Sequence, residues 1–365
     1  METEQGTESG LSASRMTARI QIGEHTVGFG APTFIVAEVS ANHSQSFDLA
    51  LRIVRAAKEA GADGVKLQTY TADTITMRSD RECFRIKGGT LWDGRTLYDL
   101  YEEAFTPWDW QPKLKQLCDE LGMVFFSSAF DPTAVDFLEK MEVPAHKIAS
   151  PELVDIPLIQ KMARTGKPLI LSTGMASMEE IEEAIAAARS AGATQMALLR
   201  CTSAYPAPPD EMNLRSIPDL ARRFGIPIGL SDHTPGIAVS IAAVSLGATL
   251  IEKHLTISRA DGGPDSAFSL EPQEFKALVD AIRTTEKALG SVQYGPTAHE
   301  RSTRAFRRSL FIVRPLKKGE AFTAENVRSI RPANGLHPRH LPEVIGRRAS
   351  VDIEGGTPLA WELVE

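Results

Sequence analysis

Two histidines late in the chain have the spacing of a small metal site. His233 stands in the segment "GLSDHTPG" and His254 in the segment "LIEKHLT". Each follows a short apolar run, so the two side chains are predicted at the ends of neighbouring strands. Because oxygen donors would have to complete the shell of two imidazoles, Mn²⁺ or Mg²⁺ fits better than a closed zinc site. Ordinary hydrogen-bonded histidines at strand ends are the alternative interpretation, and His146, earlier in the chain, is expected at the surface.

Basic and hydroxyl side chains at the ends of other runs could hold an anion. Lys66 and Lys147 supply two positive charges. Small hydroxyl donors stand near them or at further run ends: Ser150, Ser172, Ser203 and Ser231. Ammonium groups and hydroxyls together suit a phosphate or a phosphorylated carboxylic acid. A salt-bridged cap would explain a single such lysine. Polar residues at every run end are harder to explain without a ligand, because buried charges are costly.

Carboxyl groups complete the candidate chemistry. Glu38 ends the first run and Glu152 follows the fourth, where either could hold a water, a metal or a sugar hydroxyl. Gln68 lies two positions after Lys66, so both point to the same face of one strand. Further polar residues at run ends are Ser127, Thr202 and Tyr205. Cys201 is not favoured as a nucleophile, because no base is assigned beside it.

Eight apolar, β-rich runs that alternate with amphipathic segments position these residues. The runs are 34–40, 64–70, 123–129, 146–150, 168–174, 196–203, 227–234 and 249–256. Eight such units predict a parallel (β/α)8 TIM barrel, whose catalytic groups lie at the C-terminal ends of the strands. A doubly wound open sheet is the rival fold, but no Gly-x-Gly-x-x-Gly follows the first run.

The segments between the runs carry helix signals. Segment 46–62 is amphipathic, and segment 177–193 begins with a capping box formed by Ser177 and Glu180. The long, aromatic-rich stretch 71–122 is predicted to be an extended loop with its own helix. Loops of this length at the C-terminal face of a barrel usually shape substrate entry.

Composition changes divide the chain into regions. Residues 1–18 are predicted to be a disordered tail, and residues 19–290 the barrel with a small hairpin before it. Residues 291–305 contain Gly-Pro and are predicted to be a linker. Residues 306–365 are predicted to form a second, small β-rich domain, with strands in "SLFIVRP" and "ASVDI".

Bulk properties exclude several classes of function. The net charge is −7 and there is no block of Lys and Arg, which argues against a nucleic-acid partner. No run of about 20 apolar residues would span a membrane, and the N-terminus lacks the apolar core of a signal peptide. The 3 cysteines are far apart and odd in number, so a reducing, cytoplasmic compartment is expected rather than a disulfide framework.

Several motifs together resemble the sialic acid synthase family. They are "AEVSANH", "VKLQT", "LSTGM", "CTSAYP", "GLSDHT", "EKHLT" and "GPDSAFSLEP", and they occur in the family's order. Those enzymes condense phosphoenolpyruvate with an N-acetylated amino sugar to make nine-carbon sugar acids. The C-terminal region, with "KKGEAFTAENVRSIRPANGL", resembles that family's antifreeze-like (SAF) domain. Each motif is weak alone, but the combination is specific and spans almost the whole chain.

The resemblance implies a role for each candidate residue. It makes His233 and His254 the ligands of one Mn²⁺ or Mg²⁺ ion. It assigns phosphoenolpyruvate to Lys66, Lys147, Ser150, Ser172, Ser203 and Ser231. It assigns the metal-bound water and the sugar to Glu38, Gln68, Glu152, Tyr205 and Asp265, with Glu38, Glu152 and the two lysines as catalytic groups. It also implies a domain-swapped homodimer, in which Arg331 of the SAF domain contacts the N-acetyl end of the sugar.

Within the family, three segments resemble the pseudaminic acid synthases, which use 2,4-diacetamido-2,4,6-trideoxy-L-altrose. These segments are "KLQTYTADTIT", "EAFTPWDW" and "DGGPDSAFSLEP". Legionaminic acid and N-acetylneuraminate synthases are the alternatives. The latter often have His after the aspartate that corresponds to Asp265, where Ser266 stands here. Two functions of other classes stay open: a divalent-metal aldolase on the same barrel, and a carbohydrate-binding protein without catalysis.

Overall fold

A computed structural model describes residues 18–365. The predicted disordered tail, residues 1–18, therefore lies outside the described residues except for its last position. The chain forms two compact units, one ending at Gly290 and one spanning Ser291–Glu365. Within the described part, no helix is long and apolar enough to cross a membrane.

Eight parallel strands close the first unit into a barrel, which confirms the predicted (β/α)8 fold. An antiparallel hairpin of β1 (Arg19–Ile22) and β2 (His25–Gly28) precedes them. The barrel strands are β3 (Phe34–Glu38), β4 (Gly64–Thr69), β5 (Val124–Ala129), β6 (His146–Ile148), β7 (Leu169–Ser172), β8 (Met196–Cys201), β9 (Ile228–Asp232) and β10 (Leu250–His254). Strand β10 pairs with both β9 and β3, so the ring has no open edge.

Helices surround the barrel, and side chains cap their starts as the sequence predicts. The helices of this unit are α1 (Phe47–Ala60), α2 (Ala72–Ile75), α3 (Leu97–Ala104), α4 (Gln111–Glu120), α5 (Pro132–Lys140), α6 (Ile156–Ala163), α7 (Met178–Ser190), α8 (Ser216–Phe224), α9 (Ala238–Ser245) and α10 (Pro272–Leu289). Ser177 and Glu180 form the predicted capping box at α7. The Ser46 hydroxyl accepts the Leu49 amide hydrogen at 3.3 Å before α1. Such contacts satisfy amides that a helix start leaves unpaired.

The barrel interior is layered, and the layering places polar groups at one end. On β3, Phe34 and Val36 belong to the apolar core inside the barrel, and Glu38 follows on the same face. On β10, Leu250 belongs to that core, and Glu252 follows on the same face. The alternate residues pack between the strands and the surrounding helices. The interior therefore changes from apolar to polar toward the C-terminal ends of the strands, where barrel active sites lie.

The stretch between β4 and β5 contains α2, α3 and α4, so the predicted extended loop has helices of its own. The Tyr98 hydroxyl donates to Asp73 Oδ1 at 3.1 Å, which joins α3 to α2. The side-chain amide of Gln45, after β3, donates to the Glu103 carbonyl at 2.9 Å. These bonds make the stretch a packed part of the barrel rim.

The second unit is a small β-rich domain, as predicted. Strands β11 (Ser309–Ile312) and β12 (Val327–Ile330) pair antiparallel, and α11 spans Leu341–Val344. The prediction of a continuous strand in "ASVDI" was wrong. Ala349 bridges Val364 while Ile353 bridges Leu316, so its two ends pair with different segments and no ladder forms between them.

Candidate active site

A cavity of about 380 Å³ opens at the C-terminal ends of the barrel strands. Most of the predicted site residues line it: Lys66, Gln68, Lys147, Ser150, Ser172, Ser203, Tyr205, Ser231, His233, His254 and Asp265. The strand register explains this convergence, because Glu38 pairs with His254 on one side and with Lys66 on the other. Glu38 itself is fully buried beside Lys66.

Two lysines and two glutamates form a buried network of charges in the cavity. Lys66 Nζ lies 2.8 Å from Glu38 Oε2 and 3.4 Å from Glu252 Oε1. Lys147 Nζ lies 3.9 Å from Glu252 Oε2, so its charge is the less neutralised of the two. Buried charges are tolerated only when they are paired in this way or meet a charged ligand. Glu252 was not assigned a role from the sequence, and the structure adds it to the site.

The network changes how its members titrate. Burial raises the pKa of Glu38 to about 7, although the charge of Lys66 opposes the shift. Burial lowers the pKa of Lys147. Burial would also lower the pKa of Lys66, but the carboxylates of Glu252 and Glu38 outweigh it and raise that pKa. Glu38 is therefore a carboxyl group that changes protonation near neutral pH, which suits a group that accepts a proton during a reaction.

Hydroxyl groups and a backbone amide converge beside Lys147. Lys147 Nζ donates to Ser172 Oγ at 2.7 Å, and the Gly174 amide donates to Ser150 Oγ at 3.0 Å. A Cβ atom on Gly174 would lie 2.7 Å from Ser150 Oγ and would also clash with Ser203 Oγ. Only glycine lets the backbone approach both hydroxyls so closely. An ammonium group among hydroxyl and amide donors is suited to binding a phosphate.

The end of β5 corrects one expectation from the sequence. Ser127 was placed among the polar run ends, but its hydroxyl lies 2.7 Å from Thr69 Oγ1, behind the barrel wall. The residue that faces the cavity is Ser128, which accepts a hydrogen bond from Lys66 Nζ at 3.1 Å. Gln68 of β4 is paired with Ser128 of β5, and paired residues of neighbouring strands point to the same side of the sheet. Because Gln68 faces the cavity, this register identifies Ser128, and not Ser127, as the residue of β5 that faces it.

His233 and His254 meet in the cavity with ring centroids 5.3 Å apart. His233 Nδ1 lies 3.2 Å from the Thr202 carbonyl oxygen, which can only accept, so Nδ1 carries a hydrogen and Nε2 has a lone pair whenever the ring is neutral. Burial would lower the pKa of His233, but the contact with Cys201 outweighs burial and raises it. Within the described residues, the buried Nδ1 of His254 has no hydrogen-bond partner. Burial holds the pKa of His254 well below its usual value and keeps that ring neutral.

Neutral imidazoles with unpartnered nitrogens are the form that binds divalent metal ions. Across residues 18–365, no group of three or more His, Cys, Asp or Glu side chains could hold such an ion. The His233–His254 pair therefore fits an ion that takes its remaining ligands from water and substrate, and it does not fit a closed structural site.

A string of hydrogen bonds connects Glu38 with Asp265. Gln68 Nε2 donates to Glu38 Oε1 at 3.2 Å and to Ser40 Oγ at 2.8 Å. The Ser40 hydroxyl donates in turn to Asp265, whose carboxylate also accepts the Ala41 amide hydrogen at 3.2 Å. Burial raises the pKa of Asp265. Ser40, which the sequence did not single out, is the residue that links the predicted groups.

The Cys201 thiol also faces the cavity, and its sulfur lies 3.8 Å from His233 Nδ1. The sequence assigned no base beside this cysteine. Burial would raise the pKa of this thiol, but the contact with His233 outweighs it and lowers the pKa to about 7. Because His233 Nδ1 carries its hydrogen toward the Thr202 carbonyl, that nitrogen does not act as a base for Cys201.

Glu152, another predicted site residue, is not among those that line the cavity. Glu152 follows β6 in a short 3-10 helix, Pro151–Val154, and burial raises its pKa to about 7. In the described chain, its buried Oε2 has no hydrogen-bond partner. Arg331 is exposed in the second unit. The roles of both residues stay predictions.

Another part of the cavity is apolar, and its residues come from the stretch between β4 and β5. We call it the apolar wall, and it consists of Ile86, Trp92, Leu97, Leu100, Tyr101 and Ala104. Trp92 Nε1 donates to the Pro264 carbonyl at 3.1 Å, and its ring lies 5.5 Å from that of Tyr205. The sequence predicted that this stretch would shape substrate entry but did not identify the residues.

Comparisons with known proteins match both units. The model of the NeuB family matches residues 53–294, and that of the SAF domain matches residues 307–365. The chain is 44% identical over 326 residues to the pseudaminic acid synthase of Campylobacter jejuni, covering 89% of this chain and 95% of that protein. It is 44% identical over 336 residues to the pseudaminic acid synthase of Helicobacter pylori, covering 92% and 98%.

The fold also matches a solved structure over nearly its full length. The spore coat polysaccharide biosynthesis protein SpsE of Bacillus subtilis is 37% identical, with a TM-score of 0.64, and the match covers 95% of this chain and 99% of that one.

Proposed function

The chain belongs to the NeuB family, and we propose that it condenses phosphoenolpyruvate with open-chain 2,4-diacetamido-2,4,6-trideoxy-L-altrose to give pseudaminic acid and phosphate. The observation that carries this proposal is one cavity that holds two buried lysines, a pair of imidazoles and a cradle of hydroxyl groups from Ser150, Ser172, Ser203 and Ser231. Two relatives that share 44% identity with this chain are pseudaminic acid synthases, which supports this choice of sugar.

Phosphoenolpyruvate is the anion that we assign to the cradle. Lys66 and Lys147 balance its charge, and the hydroxyls of Ser150, Ser172, Ser203 and Ser231 bind its oxygens. Among the described residues, the carboxylate nearest to Lys147 Nζ is that of Glu252 at 3.9 Å, so the charge of Lys147 is the more available for the ligand. The Gly174 backbone, which a side chain would push away from Ser150, completes the cradle.

His233 and His254 would hold one divalent ion, Mn²⁺ or Mg²⁺, in this site. When bound, such an ion polarises a carbonyl oxygen as a Lewis acid. The chain's own contribution is to present two imidazoles at neighbouring strand ends, with the His254 ring held neutral by burial. The orphaned nitrogen of His254 supports this assignment, because a buried polar atom without a partner is costly.

Glu38 is the proton acceptor in the mechanism that we propose. Carbon 3 of phosphoenolpyruvate attacks the aldehyde carbon of the sugar, the aldehyde oxygen takes up a proton, and positive charge develops at carbon 2. Water adds at carbon 2 and gives one proton to Glu38, whose pKa of about 7 suits this step. The bond between carbon 2 and the phosphate oxygen then breaks. Lys147 and the serine hydroxyls stabilise the departing phosphate, and the remaining proton of the added water leaves as the ketone forms.

The sugar lies, in this proposal, against the string that runs from Glu38 to Asp265. Gln68, Tyr205 and Asp265 line the cavity there, and Glu152 follows Ser150 and Pro151, which also line it. Arg331 would bind the N-acetyl end from the partner subunit of a domain-swapped homodimer. We place the enzyme in the cytoplasm, which suits its free cysteines, Cys83, Cys118 and Cys201.

Product analysis by mass spectrometry, with a panel of amino sugars and phosphoenolpyruvate, tests the proposal. We expect pseudaminic acid from 2,4-diacetamido-2,4,6-trideoxy-L-altrose, with one phosphate released per product. Preferred conversion of N-acetylmannosamine or of a legionaminic acid precursor would refute the choice of sugar. Turnover without phosphoenolpyruvate would indicate an aldolase, and sugar binding without any turnover would indicate a carbohydrate-binding protein.

A further inference from the structure

The apolar wall offers almost no free hydrogen-bonding groups to a ligand. Of its six side chains, only Trp92 and Tyr101 carry a polar atom, and the Trp92 N–H is already used by the Pro264 carbonyl. Thr90, which also lines the cavity, donates its hydroxyl to Asp93 at 2.7 Å. A ligand hydroxyl that faces Leu97 and the Trp92 ring, rather than the Tyr101 hydroxyl, would therefore lose its water contacts without gaining a partner, which is unfavourable.

The wall is held in place by contacts of its own. The Thr96 hydroxyl accepts the Asp99 amide hydrogen at 3.1 Å and caps α3, which carries four of the six wall residues. The Tyr101 ring packs edge-on against Tyr70, with centroids 5.6 Å apart, and Leu100 is buried. A surface fixed in this way discriminates by its chemistry, because it does not rearrange to suit each ligand.

Aromatic contacts show how the wall relates to the imidazole pair. Tyr205 packs against His233 with ring centroids 4.5 Å apart, and Trp92 packs against Tyr205 at 5.5 Å. The wall is thus separated from His233 by the Tyr205 ring. A six-carbon chain whose aldehyde lies at the imidazoles, and which extends past the Tyr205 ring, would have carbons 5 and 6 toward the wall.

We propose that the apolar wall is the specificity element that selects a methyl group over a hydroxymethyl group at carbon 6 of the sugar. This inference rests on the proposed condensation and adds the residues that choose the substrate. A methyl group packs against Leu97 and Trp92, whereas a 6-hydroxyl is buried there without a partner. Apolar pockets reject an added hydroxyl by about 10–100-fold in kcat/KM, and we expect a preference of that size.

The test compares two sugars, 2,4-diacetamido-2,4,6-trideoxy-L-altrose and its 6-hydroxy counterpart, each with phosphoenolpyruvate. The main variant is Leu97→Asn, which places an amide on the wall. Leu97→Met keeps the wall apolar, and Ala104→Ser adds a small hydroxyl with little risk to the fold. Leu91→Asn is the matched control, because Leu91 belongs to the same stretch, is 53% exposed and does not line the cavity.

We expect the wild type to prefer the 6-deoxy sugar by about 10–100-fold in kcat/KM. The Leu97→Met and Leu91→Asn variants should show the same preference. Leu97→Asn should bring the ratio down to within about 3-fold of unity, mainly through the sugar KM, and Ala104→Ser should reduce it in the same direction. The phosphoenolpyruvate KM should stay unchanged in all variants, which a general loss of structure would not allow.

Two results would overturn the inference while leaving the condensation standing. One is a wild type that uses both sugars equally well, and the other is a wild-type ratio in both Leu97→Asn and Ala104→Ser. A wild type that releases no phosphate with either sugar overturns the proposed function, and this inference with it.

Discussion

Replacing Glu38 with Gln should make the protein more stable and a much poorer catalyst. Burial raises the pKa of Glu38 from 4.5 to about 7, so the folded state retains a proton that the unfolded chain has lost. Because the folded state binds more protons between these two pH values, stability falls as pH rises through that window. At about 1.36 kcal/mol per pH unit, the loss above pH 7 approaches about 3 kcal/mol. Gln mimics the neutral carboxyl and removes this loss.

The gain should therefore depend on pH. We expect the Glu38→Gln variant to exceed the wild type in free energy of unfolding by about 1 kcal/mol at pH 5 and about 3 kcal/mol at pH 8. Urea denaturation without substrates or metal, followed by tryptophan fluorescence, measures this difference. Glu183→Gln is the control at an exposed position and should show no such trend.

Catalysis should change in the opposite direction. Loss of a proton acceptor lowers kcat by about 10²–10⁴-fold, and the variant should lose the rise of kcat/KM with pH near 7. An advantage in stability that is equal at pH 5 and pH 8, or a variant less stable than the wild type at pH 8, would refute the argument from burial. An unchanged kcat would refute the assigned role.

Four further substitutions test other parts of the site. His254→Ala should weaken Mn²⁺ binding, measured by electron paramagnetic resonance, by more than about 100-fold with the fold intact, and unchanged binding would exclude this metal site. Lys253→Met should cost about 3–5 kcal/mol of unfolding free energy, because Asp232, 2.9 Å from the Lys253 ammonium group, would be left as a buried unpaired charge. Adding Asp232→Leu should restore most of that loss, and a double variant as unstable as the single one would contradict this explanation. Gly174→Ala should raise the phosphoenolpyruvate KM by about 10-fold or more and leave the sugar KM unchanged, because its Cβ would displace the hydroxyls of the cradle. Arg331→Ala should raise the sugar KM far more than the phosphoenolpyruvate KM, and an unchanged sugar KM would argue against the domain-swapped contact.

Much of the barrel could be predicted because its signals are local. Each of the eight runs became a strand, since short β-rich segments between capped helices depend mainly on neighbouring residues. Polar residues at the run ends then converged on one cavity, because a closed parallel barrel brings the C-terminal ends of all its strands together.

What could not be predicted depends on contacts between distant segments. The choice of Ser128 over Ser127 needs the register between β4 and β5, which local patterns do not contain. His146, expected at the surface, is buried, with Nε2 2.7 Å from Glu139 Oε1. Its strand has only three residues, all buried, so no alternation of polar and apolar residues marked its faces.

The residues of the apolar wall could not be predicted from the sequence for a related reason. Trp92 and Leu97 belong to a stretch whose composition predicted only a long loop with a helix. Which side chains face the cavity follows from anchors to remote segments, such as the bond from Trp92 to Pro264, and these anchors are not visible in the residues that they join.

The most direct test of the proposed reaction follows an oxygen label. Phosphoenolpyruvate with ¹⁸O in the bridge between carbon 2 and phosphorus is incubated with 2,4-diacetamido-2,4,6-trideoxy-L-altrose, the enzyme and Mn²⁺, and both products are analysed by mass spectrometry. Cleavage of the carbon–oxygen bond predicts that all of the label leaves in the phosphate and that the ketone oxygen of the sugar acid comes from water. Label retained in the sugar acid, or phosphate released in the absence of the sugar, would contradict the proposed condensation.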